Sequence, residues 1–222
     1  MLNHIKSVIF DLDGTLVDSM WVWPQIDIDY LGSHGFQVPT DLPGTIDGMS
    51  FTETAAYFKE RFHIPQSIEE IMLTWQDMAI EQYRHKVPLK PGVLEALSFF
   101  KKQGITMAIA SSSTGSLIEA VLESHRIRDY FRCIVTSCQV SRGKPAPDVY
   151  LEAARQLGTP PENCLVFEDI IPGIQAGKAA GMTVCAVEDT YSLPQEKEKR
   201  ALADHYIRSY TEIISGATKE DN

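Results

Sequence analysis

Residues 8–16 read VIFDLDGTL, an apolar run that ends in two carboxylates separated by a single residue. The β-branched and aromatic residues at 8–10 are typical of a buried strand, and the change to Asp-Leu-Asp-Gly at 11–14 marks the end of that strand in a loop. A carboxylate at such a position can act as a nucleophile, a metal ligand or a general acid. Asp11 and Asp13 are therefore the first candidates for chemistry in this chain.

Similar apolar runs recur along the chain and alternate with segments of helical periodicity. They predict strands at residues 8–10, 105–110, 134–136, 164–167 and 183–187, with a weaker strand at 205–207. One helix start is predicted by Ser192 and Gln195, which fit a capping box. Because strands that alternate with helices form parallel sheets covered on both faces, we expect an α/β protein with a doubly wound, Rossmann-like parallel sheet.

The stretch from residue 17 to 87 interrupts this alternation. It lacks a convincing strand pattern and carries two capping-box patterns, Ser50-x-x-Glu53 and Ser67-x-x-Glu70. It is too long for a crossover between two strands and predicts an inserted, all-helical cap. The predicted division is a core of residues 1–16 and 88–217, a cap of 17–87 with linkers near 17–19 and 87–91, and a frayed tail of 218–222.

Composition restricts the classes of partner. The chain has 222 residues and a formal net charge of -10, whereas proteins that bind nucleic acids or anionic membranes usually carry a basic stripe. We see no signal peptide and no segment apolar enough to cross a bilayer, so we expect a cytoplasmic protein without nucleic-acid or membrane partners. The cysteines and histidines are scattered, so any metal is expected to have oxygen ligands. The oligomeric state stays open, and a monomer is workable.

Polar residues of the types that phosphoryl transfer needs follow four of the predicted strands. In chain order they are Asp11, Asp13 and Thr15, then Ser111–Ser113, then Lys144, and then Glu168 with Asp169. Each group alone has an ordinary explanation as a turn, a helix cap, a surface lysine or a helix start. The carboxyl ends of parallel strands meet at one edge of the sheet, so all four groups are expected to converge there.

The order of these groups resembles the four motifs of the haloacid dehalogenase superfamily, namely Asp-x-Asp-Gly-Thr, then Ser or Thr, then Lys, then paired acids. The resemblance covers nearly the whole chain, including the cap after the first motif. It is greatest for the branch that contains β-phosphoglucomutases and small-metabolite phosphatases. It implies Mg²⁺-dependent phosphoryl transfer through an aspartyl-phosphate.

The resemblance also implies a role for each motif residue. Asp11 would be the nucleophile, Asp13 the general acid and base, and Lys144 the cation that neutralises charge on the nucleophile and the phosphoryl group. The implied phosphate-binding residues are Gly14, Thr15, Ser111 and Ser112. The implied Mg²⁺ ligands are Asp11, the backbone carbonyl of Asp13, and Asp169, with Glu168 assisting directly or through water.

The cap sequence favours a phosphatase over a mutase. Mutases of this branch carry a Gly-x-Ser-Arg segment whose arginine binds the second phosphate of the substrate, whereas Phe51 stands in its place here. Asp47 replaces a lysine of the mutases, and Trp23 replaces a histidine. We therefore expect hydrolysis of a small phosphorylated metabolite, with a sugar phosphate first, and keep a β-phosphoglucomutase-type mutase as the alternative.

Four aromatic residues of the predicted cap are candidates either for its hydrophobic core or for lining the substrate site. Trp75 is expected in the hydrophobic core of the cap. Trp21, Trp23 and Phe51 lie near a linker or a helix start, where lining of the substrate site is as plausible as packing. An aromatic wall would suit a sugar or another flat apolar face.

Three other classes fit the sequence less well. A signalling receiver is shorter and has no helical insertion, and a general base such as Asp13 would destroy its phosphoryl signal. An interaction protein on an inactive phosphatase fold would not be expected to keep the whole acidic, serine and lysine set. A dehalogenase needs neither Asp13 nor the paired acids.

Overall fold

Two clusters of secondary structure make up the fold: a core unit of Met1–Met20 with Val87–Asn222, and a helical unit of Trp21–Lys86. A computed structural model of the protein describes residues 2–46, 49 and 51–220. Residues 17–20 and residue 87, which the predicted division gave to the cap, fall in the core unit. The physical reason is local pairing, since Val17 forms a β-bridge with Leu89.

The core unit contains a six-stranded parallel sheet. Its strands are β1 (Ser7–Phe10), β2 (Thr106–Ser111), β3 (Cys133–Thr136), β4 (Cys164–Glu168), β5 (Thr183–Val187) and β6 (His205–Ile207). Their order is β3-β2-β1-β4-β5-β6, and every neighbouring pair is parallel. All six predicted strands are present, and the predicted doubly wound α/β class is confirmed.

Helices cover both faces of this sheet. They are α5 (Val93–Lys102), α6 (Gly115–Ser124), α7 (Asp148–Leu157), α8 (Ile171–Ala179), α9 (Glu196–Leu202) and α10 (Thr211–Glu220). On one face Ile9 and Val166 pack in a buried cluster with residues of α7 and α8. On the other face Phe10 stacks on Phe167 with ring centroids 5.2 Å apart, and Tyr210 packs beside both rings. Adjacent residues of β1 thus point to opposite faces of the sheet, as the two-residue period of a strand requires.

The last helix, α10, includes residues 218–220, the first three residues of the predicted frayed tail.

The helical unit consists of α1 (Val22–Ser33), α2 (Leu42–Ile46), α3 (Phe51–Arg61) and α4 (Ile68–His85). The capping box at Ser67 and Glu70 is confirmed, with both reciprocal hydrogen bonds present. The pattern predicted at residues 50–53 includes Ser50, which lies outside the described residues. Trp75 is 3% exposed and packs edge to face against Tyr30 and Phe58, so it belongs to the core of this unit, as expected. Among the described residues, no helix combines the length and the apolarity needed to span a membrane.

The two linkers run side by side within the core unit. The amide of Asp18 donates to the carbonyl of Pro88 at 3.0 Å, and the amide of Lys90 donates to the carbonyl of Leu16 at 2.9 Å. The side chain of Lys90 donates to Asp189 in the segment after β5 at 2.6 Å. The second linker is thereby attached to the carboxyl edge of the sheet.

Candidate active site

The candidate site lies at the carboxyl ends of β1 and β4, where the strand order of the sheet reverses. Ligands of doubly wound folds bind at such a switch point, outside the carboxyl ends of the strands. Asp11 directly follows β1, Glu168 is the last residue of β4, and Asp169 comes next. The parallel pairing of β1 with β4 therefore brings these three carboxylates together.

Lys144 connects two of the carboxylates. Its Nζ atom donates to Oδ1 of Asp11 at 2.7 Å and to Oε1 of Glu168 at 2.6 Å. All three side chains are at most 10% exposed. Buried charges are stable only when they are paired and hydrogen-bonded, so the lysine and the two acids form one electrostatic unit.

Glu168 has a full set of protein donors. Oε1 accepts from Tyr150 Oη at 2.8 Å as well as from Lys144, and Oε2 accepts from the backbone amides of Asp169 at 2.9 Å and Ile170 at 3.3 Å. A side chain at Gly173 could not fit here, because an added Cβ would lie 1.7 Å from Oε1. In this arrangement Glu168 holds Lys144 and the turn after β4 in place.

Asp169 is held differently. Its Oδ1 accepts a hydrogen bond from the Thr15 hydroxyl at 3.0 Å, and its Oδ2 is buried with no hydrogen-bond partner among the described residues. Gly14 packs directly over this carboxylate with φ at +72°, and an added Cβ would lie 2.3 Å from Oδ2. Glycine is therefore required at 14 both for its backbone conformation and for this close approach.

Burial and the charges of neighbouring residues shift the pKa values of Asp11, Asp169 and Lys144. Burial raises the pKa of Asp11 to about 7; Glu168 and Asp13 also raise it, and Lys144 opposes them. Burial, with Glu168 and Asp11, raises the pKa of Asp169 well above its usual range. Burial alone would lower the pKa of Lys144, but Asp11 and Glu168 outweigh it and hold that pKa well above the usual value.

The carboxylates fit a divalent cation. Each of Asp11, Glu168 and Asp169 offers an oxygen, and these three oxygens lie within 4.8 Å of one another. One ammonium group faces three acids, so negative charge is in excess, and the buried Oδ2 of Asp169 lacks the partner that buried polar atoms normally have. Oxygen-only donors of this kind suit Mg²⁺.

Asp13 lies two residues beyond Asp11 in the loop after β1 and is partly exposed. Its Oδ1 accepts from Ser19 Oγ at 2.6 Å, and its Oδ2 accepts a short hydrogen bond from Ser113 Oγ. Its side chain is outside the three-carboxylate group, so only its backbone carbonyl remains for the metal role implied by the resemblance. The two serines fix the orientation of the Asp13 carboxyl group, and a general acid requires a fixed orientation.

The predicted phosphate-binding residues lie at the carboxyl ends of β1 and β2, and their environments differ. The Ser111 hydroxyl is buried at the end of β2 and accepts from the backbone amide of Ser113 at 3.1 Å. Ser112 is exposed, and its hydroxyl accepts from Ser137 Oγ at 3.3 Å. Thr15 donates its hydroxyl hydrogen to Oδ1 of Asp169, so its side chain orients that acid.

The candidate substrate-lining aromatics lie in the helical unit. Trp23 and Phe51 contact each other edge to face with ring centroids 5.6 Å apart, and they are 40% and 38% exposed. Phe51 also contacts the buried Trp75. Trp21 precedes α1 and is partly buried. Asp47, used in the comparison with mutases, lies outside the described residues.

Two contributing residues were missed by sequence reasoning. Tyr150 bonds to Glu168 and Ser19 bonds to Asp13, yet nothing in their local sequence distinguishes them from packing or loop residues. The predicted capping box at Ser192 is wrong: its hydroxyl is bonded to the backbone carbonyl of Asp169 and to Lys199 instead. That use depends on tertiary contacts that a local pattern does not encode.

The chain resembles phosphatases over nearly its whole length. It is 36% identical to the bifunctional riboflavin kinase/FMN phosphatase of Arabidopsis thaliana over 96% of this chain, although the chain spans only 56% of that protein. It is 32% identical to hexitol phosphatase B of Escherichia coli K12, with 96% of each chain covered.

A solved structure shows the same likeness. The structure of CbbY from Rhodobacter sphaeroides in complex with phosphate superposes with a TM-score of 0.78 at 25% identity, covering 94% of this chain and 96% of CbbY. Residues 8–187 also match the family described as haloacid dehalogenase-like hydrolase, a range that includes every motif residue discussed above. The chain therefore belongs to the haloacid dehalogenase-like hydrolase family, in the branch that contains β-phosphoglucomutases and small-metabolite phosphatases, and is an enzyme of the phosphoric monoester hydrolase class.

Proposed function

We propose that this protein is a Mg²⁺-dependent phosphatase that hydrolyses a small phosphorylated metabolite through an aspartyl-phosphate at Asp11. The observation that carries the proposal is the buried group of Asp11, Lys144, Glu168 and Asp169, in which one carboxylate oxygen of Asp169 is left for a cation. Phosphatases with more than 30% identity over almost the whole chain support the same reaction class.

The proposed reaction has two steps. A carboxylate oxygen of Asp11 attacks phosphorus, the bond from phosphorus to the ester oxygen breaks, and the leaving oxygen takes the proton of Asp13. Water then attacks phosphorus and gives a proton back to Asp13, and the bond between Asp11 and phosphorus breaks. The products are the free alcohol and inorganic phosphate, and both acids return to their starting states.

The remaining residues bind and neutralise charge. Lys144 balances the charge on Asp11 and the phosphoryl group, and the donors at 111 and 112 bind phosphate oxygens. Bound Mg²⁺ would neutralise further charge on the phosphoryl oxygens. Asp11, Asp169 and the backbone carbonyl of Asp13 would hold it, with Glu168 positioning its neighbours.

The substrate is proposed to carry a primary phosphate on a polyhydroxylated carbon chain. Two named substrates of the relatives, hexitol phosphates and FMN, share this group, because FMN carries its phosphate at the end of an open ribityl chain. The exposed contact pair of Trp23 and Phe51 supports recognition of an apolar or flat portion of the substrate. Sugar and sugar-alcohol phosphates are the first class to test.

The test is phosphate release from a panel with and without Mg²⁺, using Asp11→Asn as the matched inactive control. The panel contains sorbitol 6-phosphate, FMN, glucose 6-phosphate and β-glucose 1-phosphate primed with a trace of the 1,6-bisphosphate. Mg²⁺-dependent phosphate release by the wild type and none by the variant would support the proposal. Phosphate release that survives Asp11→Asn would contradict it.

The mutase alternative is scored in the same assay. A mutase would convert β-glucose 1-phosphate into glucose 6-phosphate without releasing phosphate. Phe51 and Trp23 occupy the positions where the mutases of this branch carry an arginine and a histidine, so a second phosphate would lack those charged contacts. We therefore expect no glucose 6-phosphate from this substrate.

A further inference from the structure

A buried lysine lies behind the candidate site and is not one of the motif residues. Lys199 of α9 is 0% exposed, and its Nζ donates to the carbonyl of Val187 and to Ser192 Oγ, both at 2.9 Å. Lysine is almost never fully buried unless it is paired. Lys199 lies within residues 196–200, which read EKEKR, and such a charged run is typical of an exposed helix face.

The hydrogen bonds of Ser192 have a fixed direction. A lysine ammonium can only donate, so Ser192 Oγ must accept from Lys199 and is left to donate its own hydrogen. That hydrogen goes to the backbone carbonyl of Asp169 at 2.8 Å. Ser192 is 3% exposed, so water does not compete strongly for these bonds.

The hydrogen bonds of Lys199 and Ser192, called the relay below, end on Asp169, one of the three grouped carboxylates of the site. The backbone amide of Asp169 is held by Glu168, its Oδ1 by Thr15 and its carbonyl by Ser192. These three contacts fix both the peptide and the side chain of Asp169. Of its two carboxylate oxygens, they leave Oδ2 without a hydrogen-bond partner among the described residues. Removal of the contact to the carbonyl would allow the turn after β4 to rotate and Oδ2 to move.

We propose that Lys199 and Ser192 are positioning residues that set the Mg²⁺ affinity of this enzyme by fixing Asp169. This inference rests on the proposed Mg²⁺-dependent function. Neither side chain is expected to touch substrate or the reacting atoms. Contacts that orient metal ligands are commonly worth about 10- to 100-fold in metal affinity, which sets the size of the expected effect.

The experiment compares Ser192→Ala, Lys199→Met and the double variant with the wild type. Mg²⁺ binding to each purified protein is measured by isothermal titration calorimetry, alongside the Mg²⁺ concentration for half-maximal phosphate release, kcat and KM. Each single variant should bind Mg²⁺ about 10-fold more weakly, while kcat at saturating Mg²⁺ and KM for substrate stay near wild type. Because the two residues act in series, the double variant should lose little more than either single variant.

Lys90→Met is the matched control. Lys90 is also a mostly buried lysine of the core unit, donating to the carbonyl of Glu188 and to Asp189, and it does not belong to the relay. If the role of Lys199 is purely structural, Lys199→Met should resemble Lys90→Met. Each variant would then have a lower melting temperature, and neither would show a selective loss of Mg²⁺ binding. If Lys199→Met fails to fold, Ser192→Ala decides the question, since it removes only one hydroxyl.

The outcomes separate this inference from the proposed function. Unchanged Mg²⁺ affinity in Ser192→Ala and Lys199→Met, with wild-type binding intact, would overturn the inference and leave the proposed function standing. A wild-type protein that neither binds Mg²⁺ nor releases phosphate would overturn both. Weaker binding confined to the relay variants would support the inference.

Discussion

Lys144 Nζ and Asp11 Oδ1 lie 2.7 Å apart, although 133 positions separate the two residues in the chain. The same ammonium group lies 2.6 Å from Glu168, so one cation compensates two buried acids from neighbouring strands. The stability of the strand ends and the reactivity of the proposed nucleophile therefore depend on a single side chain.

Lys144→Met should destabilise the fold by about 3–5 kcal/mol at pH 8, because it leaves two buried carboxylates without their counter-charge. The loss should be smaller at pH 5.5, where Asp11, with its pKa raised to about 7, is protonated. Chemical unfolding at both pH values measures the effect. Lys178→Met, which removes a half-exposed pair with Asp204, is the control and should cost less than about 1 kcal/mol. Equal losses in the two variants would contradict this account.

Tyr150→Phe should reduce both stability and turnover by removing the hydrogen bond to Glu168 while keeping the ring beside Lys144. A buried hydrogen bond to a charged group contributes about 1.5–3 kcal/mol, so a loss of that size is expected in unfolding measurements. The kcat should fall, because Glu168 helps to hold Lys144. Tyr206→Phe removes a longer, partly buried tyrosine–glutamate hydrogen bond, to Glu188 at 3.3 Å, and should leave kcat unchanged. A lower kcat in both variants would indicate a general packing effect.

Gly14→Ala should abolish Mg²⁺-dependent activity as well as destabilise the protein. The left-handed conformation costs a non-glycine residue about 1–2 kcal/mol, and the added Cβ would also collide with the Asp169 carboxylate. Gly158→Ala provides a control with nearly the same φ, +70°, and nothing within 4 Å of the added atom. It should lose stability and keep its activity. Retained activity in Gly14→Ala would show that the close approach to Asp169 is not required.

Mg²⁺ affinity should rise with pH through neutrality. Folding raises the pKa of Asp11 from its ordinary value of 3.8 to about 7, so the protonated form is favoured in the folded protein at lower pH. The stability that this group contributes is present at low pH and lost as the pH rises through 7. A cation requires the carboxylate, so below pH 7 binding must displace a proton and should weaken by up to about tenfold per pH unit. Calorimetric titrations at pH 6, 7 and 8, in buffers of different ionisation enthalpy, count the released protons. Affinity that is independent of pH, without proton release, would contradict the prediction.

The strands and the four motif groups could be predicted because their signals are local. Runs such as 164–167 are apolar and bounded by polar residues, and the chemistry of residues 11–15 follows directly from their types. Their meeting point also follows, since the carboxyl ends of parallel strands share one edge.

The support of the site could not be predicted, because it depends on packing between distant segments. Tyr150 and Ser192 bond to residues 18 and 23 positions away, respectively. The sequence pattern of Ser192 and Gln195 is typical of a helix cap. Only the burial of Lys199 in the structure shows that the Ser192 hydroxyl instead connects Lys199 with Asp169. Thr15 likewise reads as a phosphate ligand from its motif, while its partner Asp169 is 154 positions away.

The central claim is that Asp11 carries the phosphoryl group during turnover, and trapping of that intermediate tests it most directly. Asp13→Asn should accumulate it from p-nitrophenyl phosphate, whose leaving group needs no proton, because the step that requires a base to activate water is slowed. Acid-quenched protein should gain the mass of one phosphoryl group with a burst of about one p-nitrophenol per site, and borohydride reduction should convert residue 11 alone. The double variant Asp11→Asn/Asp13→Asn should show neither burst nor mass gain. A burst with the phosphoryl group on another residue, or steady hydrolysis by the double variant, would contradict the account.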